Sequence, residues 1–583
     1  MNHAQFWGGA AGGYEIDQSL RFNSADSAYL NRTPATAGNR NTYTISMWVK
    51  RGKLGASSRL FGSYTSANSY FEAFFTSSDT LQWYYWNGTG YSYNRNSTQV
   101  FRDVSAWYHL VFVFNSPSGT ASQRMRIYVN NQEITSFSAS TDPSSSFNCL
   151  WNSTSKNVIG DLLYAGSPGN TFDGYMAEIH AIDGTALTPS SFGEFDNNGV
   201  WRPIAYTGSY GTNGFYLNFA DNSGTTSTTL GKDSSGNSNN WTPNGFSVTA
   251  GAGNDVMSDT PTTNWCTLNP LNRTNSATAP TDGNLTSPAN VGAWRRIGAT
   301  IQLPTTGKYY FEYACDSFSS FATFNIGVYQ NQLAATGDPG NPATEWVYHA
   351  QLGQAINNNT AISTGFTTAT TGDVLQLAYD ADTGKIWFGK NNTWQGASSP
   401  DPATGTSATY SGVYNVTPLI LQNWATQTAN FGQRAFAYTP PTGFKALNTS
   451  NLSAPTVKDG GDHFNTVLWT GNGTSQSITG VGFQPDFLWS KARNQAYSHR
   501  LHDAVRGREQ SLLSNSTGAE FTQSNSISSF DTGGFTVGSD GSHNGSGVTY
   551  VGWNWKANGS GSSNTDGTIT STVSANPDRK STR

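Results

Sequence analysis

Charge is scarce in this sequence. Asp, Glu, Lys and Arg make up 12% of its 583 residues, about half the ~25% of ordinary globular proteins, and the formal net charge is -5. Without a basic excess there is little electrostatic drive toward phosphates, which argues against nucleic acid as a partner. Cysteine is scarcer still: Cys149, Cys266 and Cys315 are an odd number, widely spaced, with no C-x-x-C pair. That argues against a disulfide framework or a cysteine-rich zinc site and fits synthesis in a reducing cytoplasm. No apolar run approaches the ~20 residues that cross a bilayer, so no membrane insertion is expected. Residues 1–11 lack the charged start and apolar core of a signal peptide, so no export address is expected either.

What is abundant is aromatic and small polar. The chain holds 18 Trp, 27 Tyr, 32 Phe and 62 Gly, enough ring surface to build large cores and too much for a disordered chain. Gly, Ser, Thr, Asn and aromatics are poor helix formers, whereas Thr and aromatics suit strands and Gly and Asn suit turns. The expected fold class is all-β, with very little helix. At roughly 100 to 200 residues per domain, three to five structural units are expected.

Period-2 alternation supports this. Tyr43-Thr44-Ile45-Ser46-Met47-Trp48-Val49 places Tyr43, Ile45, Met47 and Val49 on one face and Trp48 on the other. Further strand-like runs are Trp107-Tyr108-His109-Leu110-Val111 and Ile127-Tyr128-Val129, the latter ending at the turn-compatible Asn130-Asn131. Short strands between polar turns argue for two-sheet sandwiches. One short helix is expected at Thr188-Pro189-Ser190-Ser191-Phe192, with Thr188 as N-cap and Pro189 in the first helical position.

These segments, with Leu20-Arg21-Phe22-Asn23, Val158-Ile159-Gly160 and Phe172-Asp173-Gly174-Tyr175-Met176-Ala177-Glu178-Ile179, resemble laminin-G-like domains of the concanavalin A-like lectin/glucanase fold. The resemblance implies a jelly-roll sandwich. Tyr309-Tyr310-Phe311-Glu312-Tyr313, Phe324-Asn325-Ile326-Gly327-Val328, Gly372-Asp373-Val374-Leu375 and Gly384-Lys385-Ile386-Trp387-Phe388-Gly389 are similar to a SPRY domain, a second β-sandwich that binds through its loops. Gly482-Phe483-Gln484-Pro485-Asp486-Phe487-Leu488-Trp489, Asp531-Thr532-Gly533-Gly534-Phe535 and Tyr550-Val551-Gly552-Trp553-Asn554-Trp555 are similar to a β-rich module in appendage proteins of marine tailed phages, including cyanophages. The order of the three units resembles such virion structural or tail-fibre proteins over nearly the whole chain.

The expected division is an N-terminal arm at 1–18, a laminin-G-like sandwich with a C-terminal extension at 19–254, and a linker at 255–290. A SPRY-like sandwich at 291–452, a phage β-module at 460–557 and a flexible tail at 558–583 follow. The arm reads either as a loosely ordered terminus or as a virion attachment peptide. The tail reads as a linker toward a further module.

Catalytic chemistry finds little support in the residues. A retaining glucanase needs two carboxylates about 5 to 5.5 Å apart. Glu15 and Asp17 precede the first core strand, and Asp173 and Glu178, five apart, face opposite sides of a regular strand unless a bulge intervenes. No G-x-S-x-G elbow is present. His499 and His502, followed by Asp503, supply two ligands where zinc needs more, and read as a surface polar cluster. No cofactor is expected, although Asp221, Asp233 and Asn237 in an Asn/Gly-rich stretch read either as a calcium rim or as a turn; the stretch lacks EF-hand spacing.

The strongest binding feature is Leu81-Gln82-Trp83-Tyr84-Tyr85-Trp86-Asn87-Gly88-Thr89-Gly90-Tyr91-Ser92-Tyr93. On a strand Trp83 and Tyr85 share one face and Tyr84 and Trp86 the other. The candidate set is Trp83, Tyr84, Tyr85, Trp86, Tyr91 and Tyr93, read either as core plus subunit interface or as a platform for sugar rings. The resulting expectation is a non-enzymatic phage virion appendage, located on the particle and binding host-surface polysaccharide. Its partners would be other virion proteins and further copies of itself. Family analogy favours a trimer, although no heptad segment is present. The alternatives are a purely structural capsid or tail-assembly protein and a glycan depolymerase.

Overall fold

A computed structural model describes residues 13–196, 199–274, 277–289, 294–331, 333, 340, 342–453, 459–557 and 559–575. Residues 1–12 of the expected arm, and 558 and 576–583 of the expected tail, lie outside the described residues. The fold is all-β as the composition requires, with antiparallel sheets throughout, a few one-turn 3-10 segments and a single four-residue α-helix, Gly541–Asn544, among the described residues. The helix expected at 188–192 is a one-turn 3-10 segment, Pro189–Ser191, with Pro189 in the first turn.

The first sandwich is made of two sheets. One runs in the order Gln132–Glu133, Met125–Val129, Trp107–Asn115, Thr42–Arg51, Gly174–Asp183, Ser19–Phe22, Val256–Met257, with Phe215–Leu217 also pairing to Gly174–Asp183. The other runs Phe137–Thr141, Tyr91–Val100, Thr80–Trp86, Ser69–Phe75, Ser58–Ser66, Asn157–Ile159, Tyr29–Arg32, Thr242–Asn244. Alternate residues of both sheets, among them Ile45, Met47, Phe61, Phe71, Trp83, Tyr93, Phe112 and Phe114, meet in one core, joined by Trp151 from a turn. The outer face of the first sheet is covered too, which is why Gly174–Asp183 is buried at every position. Phe192, Tyr206 and Tyr210 lie over Val111, Val113 and Ile182, and Ile16 packs with Trp48, Trp107, Tyr175 and Met257.

That covering corrects two expectations. Residues 14–18 of the arm are docked, not loose: Ile16 N donates to Thr262 Oγ1 at 3.0 Å, and the Tyr14 hydroxyl donates to Glu178 at 2.8 Å. The described residues within 255–290 form a structural joint and not a linker. Val256–Met257 adds a strand to the first sandwich, and Leu268–Arg273 belongs to the sheet of the second. Within the joint the Lys50 ammonium is fully buried against Asp259 at 2.7 Å and also donates to Asn264 Oδ1 and the Trp265 carbonyl. Trp107 Nε1 donates to the other Asp259 oxygen at 3.1 Å. Arg21 bridges Asp255 at 2.8 Å and Asp282 at 3.0 Å. Buried ions so completely paired fix geometry, because removing either partner strands a charge.

The second sandwich is a single connected sheet folded over its own core. Its two long strands, Lys308–Gln330 and Val416–Asn430, pair along most of their length with register shifts. Residues 308–314 also pair with Val374–Asp380, while residues 325–329 pair with Glu345–His349. Described residues up to Ser453, apart from 196–200, make one compact unit; residues 196–200 and those from 459 onward belong to a second.

In the second unit a six-stranded sheet runs Phe464–Thr470, Thr549–Trp555, Phe487–Ala492, Arg500–Asp503, Gly507–Leu513, Phe521–Thr522, beside a three-stranded sheet of Gln476–Thr479, Gly534–Val537 and Ile527–Asp531. Val467, Trp469, Leu488, Phe535, Val537 and Tyr550 form its core.

Candidate glycan-binding face

The aromatic run divides between two environments. Trp83 and Tyr93 are 0% exposed inside the first sandwich, where Trp83 lies edge-on to Phe112 at 5.4 Å and Tyr93 packs on Phe114 at 5.3 Å. Tyr85 lies at the border of the same core, its ring 5.2 Å from Phe147 and its hydroxyl 2.8 Å from Ser69 Oγ. Trp83 and Tyr93 leave the candidate set, because a ring enclosed between sheets cannot meet a sugar, and half-buried Tyr85 leaves it because it lies on that same side of the sheet, away from the outer face. Tyr84 and Trp86 point to the other side of the sheet, as strand alternation requires, and Tyr91, two residues from buried Tyr93, joins them because the register shifts between the Tyr85–Tyr93 and Trp86–Tyr91 pairs.

On that outer side the register aligns residues that lie far apart in sequence. Tyr64 pairs with Tyr70, Tyr70 with Trp86, and Trp86 with Tyr91, giving one aromatic row across four strands. At ~4.8 Å per strand the row spans about 14 Å. Neighbouring rings interlock: Tyr64 to Tyr70 at 6.0 Å, Trp86 to Tyr91 at 5.5 Å and Tyr84 to Tyr91 at 5.0 Å. Beside this row lie Glu72 and Tyr84, and beyond them Phe74 opposite Gln82 and Gln82 opposite Asn96. The amides of Gln82 and Asn96 supply polar groups next to the rings; Gln82 Nε2 donates to Oδ1 of the buried Asn94 at 3.0 Å.

Tyr64 and Tyr70 flank the tip of one hairpin, and a loop from elsewhere completes the row. Tyr164 packs on Tyr64 at 4.8 Å and on Tyr70 at 5.7 Å. Its loop holds two non-glycine residues in the left-handed region, Leu163 at φ 55° and Ala165 at φ 53°, each costing on the order of 1–3 kcal/mol. The loop approaches closely because position 62 is glycine: a Cβ there would lie 2.7 Å from Leu162 Cδ1 and 2.6 Å from the Phe71 carbonyl oxygen. Tyr91 and Tyr164 remain 46% and 43% exposed, so rings at both ends of the row reach solvent.

The floor is polar and internally satisfied. Arg59 Nε donates to Glu72 at 2.6 Å, and Arg59 Nη1 lies 3.8 Å from Asp161. The Tyr84 hydroxyl donates to the other Glu72 oxygen. Burial, and then the Glu72 charge, pushes the Tyr84 phenol well up from its ordinary range, so it stays a hydrogen-bond donor. Asp161 is held by the backbone N–H groups of Leu162, Leu163 and Gly169 and by the Thr171 hydroxyl.

The remaining candidates resolve into structural roles. Asp233 accepts from the backbone N–H of Tyr216, Ser235 and Asn239, the Asn237 amide donates to the Gly211 and Gly214 carbonyls, and Asp221 is bonded to Ser223. All three therefore organise turns. Among the described residues no three His, Cys, Asp or Glu side chains are placed to hold a metal ion. Glu178 sits at a bulge, φ 49°, where its carboxylate accepts from the Tyr14 and Tyr216 hydroxyls, while Asp173 is occupied by Ser24. Glu15 and Asp17 are exposed on either side of buried Ile16. His502 is not in a surface cluster with His499: it is buried on a strand, with its ring 4.9 Å from that of His543.

A second aromatic surface escaped sequence reasoning. On the outer face of the six-stranded sheet Phe464 lies opposite Trp555, Trp555 opposite Phe487, and Trp553 opposite Trp489, with ring separations of 4.9, 5.2 and 5.3 Å. The alternation in Phe487-Leu488-Trp489 and Trp553-Asn554-Trp555 was the available signal.

Among curated proteins none matches this chain. Of solved structures, the SPRY domain of human HERC1 is 12% identical, with 30% of this chain and 99% of that domain covered and a TM-score of 0.24. A heptameric SAP-like pentraxin of Limulus polyphemus is 17% identical, covering 30% and 80%, at TM-score 0.22. A protein of Bacteroides ovatus, provisionally named as carbohydrate-binding, is 16% identical, covering 40% and 59%, at TM-score 0.29. Residues 459–580 match a domain of unknown function, DUF7483. Residues 23–191, which include the aromatic face, are similar to the Concanavalin A-like lectin/glucanases superfamily.

Proposed function

We propose that this protein is a non-enzymatic appendage component of a tailed-phage particle that binds host-surface glycans through the outer face of its first sandwich. The observation that carries the glycan reading is the row Tyr64, Tyr70, Trp86 and Tyr91, ending in exposed rings, on a domain similar to lectins. Aromatic faces stack on the apolar faces of sugar rings, while the amides of Gln82 and Asn96 serve hydroxyls. Each contact is weak, and several copies on one particle would multiply them. The phage assignment rests on the resemblance of the whole domain order to marine phage appendage proteins. In this reading the protein resides on the virion, its other partners are virion proteins and further copies of itself, and it uses no cofactor.

The test is adsorption. Purified chain should bind host envelope polysaccharide and compete with phage for the host, and W86A with Y91A should do neither while remaining folded. A double variant that binds and competes as well as the parent sinks this reading. One observation favours a structural alternative: Phe464 and Leu468 of the second unit are exposed beside the Trp555 and Trp553 array, a surface suited to protein contact. Cryo-EM of particles separates the two, since a fibre leaves the first sandwich projecting freely and a cement protein has neighbours on both sides.

A further inference from the structure

We propose that the aromatic face selects neutral glycans and rejects carboxylated or phosphorylated ones. The inference rests on the glycan reading above and adds the ligand class. The three central strands of the face, Ser58–Ser66, Ser69–Phe75 and Thr80–Trp86, carry one cation and one anion between them, Arg59 and Glu72. These two are bonded to each other at 2.6 Å. Arg59 also lies 3.8 Å from Asp161 and donates to the Gly169 carbonyl, and its side chain is only 12% exposed. On the adjoining strand, Tyr91–Val100, the one charged residue is Arg95, buried and paired with Asp142.

An anionic sugar therefore meets no available guanidinium or ammonium on these strands. It meets instead a floor of two carboxylates against one guanidinium, within a chain of net charge -5. Bringing a further carboxylate to that floor costs desolvation and like-charge repulsion with no compensating partner. A neutral sugar pays neither cost. Its hydroxyls find the amides of Gln82 and Asn96, groups that both donate and accept, and its ring faces find Trp86 and Tyr91. Glu72 is the group that sets the choice, since it neutralises Arg59 and orients Tyr84.

The experiment uses the full chain and an array of neutral homo-oligosaccharides (glucans, mannans and galactans), each printed beside its uronate counterpart, with Kd measured for the best members. The expected result is binding to neutral members, weakened about fivefold in W86A, with uronate counterparts at least tenfold weaker than the neutral members. Equal or tighter binding of uronates, still weakened in W86A, overturns neutral selection and leaves the glycan reading standing. Binding to no member, or binding that W86A leaves intact, removes the glycan reading and this inference with it. In E72Q, which keeps the shape of the side chain and an acceptor for Tyr84, Arg59 loses its strongest partner, so uronate affinity should rise severalfold. A folded E72Q with unchanged uronate affinity refutes the role of Glu72, and the comparison on the parent chain decides the selectivity however E72Q behaves.

Discussion

Trp83 and Trp86 are three residues apart on one strand and should respond to alanine in opposite ways. Trp83 is 0% exposed, with Phe112 at 5.4 Å and Tyr93 and Phe114 each at 6.0 Å. Truncating so large a core side chain removes its transfer free energy and leaves a cavity, together about 3–5 kcal/mol. At roughly 2–4 °C per kcal/mol for a domain of this size, W83A should melt about 6–20 °C lower. Trp86 gives up its edge-on contact with Tyr91 at 5.5 Å, worth about 0.5–1.5 kcal/mol, or about 1–6 °C. On binding the order reverses. Loss of a ring that stacks on a sugar costs about 1 kcal/mol, roughly a fivefold rise in Kd. Calorimetric melting of both variants, with glycan titration of the folded fraction, checks the pair. W86A melting as low as W83A, or W83A binding more weakly per folded molecule than W86A, would refute the assignment of the two faces.

Three further outcomes follow from the geometry. K50M or D259N should each lower unfolding free energy by about 3–5 kcal/mol, because each leaves a buried charge or donor unpaired; denaturant titration reads this, and a change under about 1 kcal/mol would return residues 255–290 to the status of a linker. Burial holds His109 neutral with its pKa pulled down to about 3, with His180 adding to the effect. A folded-state pKa below the unfolded 6.5 stabilises above pH 6.5 and loses that stability as pH falls toward 3, so the advantage of wild type over H109Q should shrink by about 2 kcal/mol between pH 7 and pH 5. A pH-independent difference contradicts it. Glycan binding should change less than about twofold between 0.05 and 0.5 M NaCl, since stacking and amide hydrogen bonds are not screened, and a steep salt dependence in the titration would place the ligand on charged groups elsewhere.

Much of this architecture is legible in the residues. The side-chain period of two separates Trp83 and Tyr85 from Tyr84 and Trp86 without a structure. Which pair faces the core is not legible, because both faces are aromatic and only the second sheet decides. Tyr64, Tyr70 and Tyr164 were missed for a related reason: the row forms by cross-strand register and by a loop about 100 residues away, neither of which is a local pattern. The joint at 255–290 was misread because Thr, Asn and Pro are also the composition of linkers. Its order comes from Lys50, Arg21 and Trp107 of the first sandwich closing on Asp259 and Asp255. Glu178 illustrates a third limit: the bulge that turns its carboxylate toward Tyr14 and Tyr216 is a tertiary event with no sequence cue of its own.

The most direct test of glycan binding at this face is a crystal structure of the full chain with a neutral oligosaccharide chosen from the array. The account predicts sugar rings over Trp86 and Tyr91, with hydroxyls on the amides of Gln82 or Asn96. Sugar bound at the loops of either sandwich, or on the six-stranded sheet with the Trp86 face bare, would contradict it.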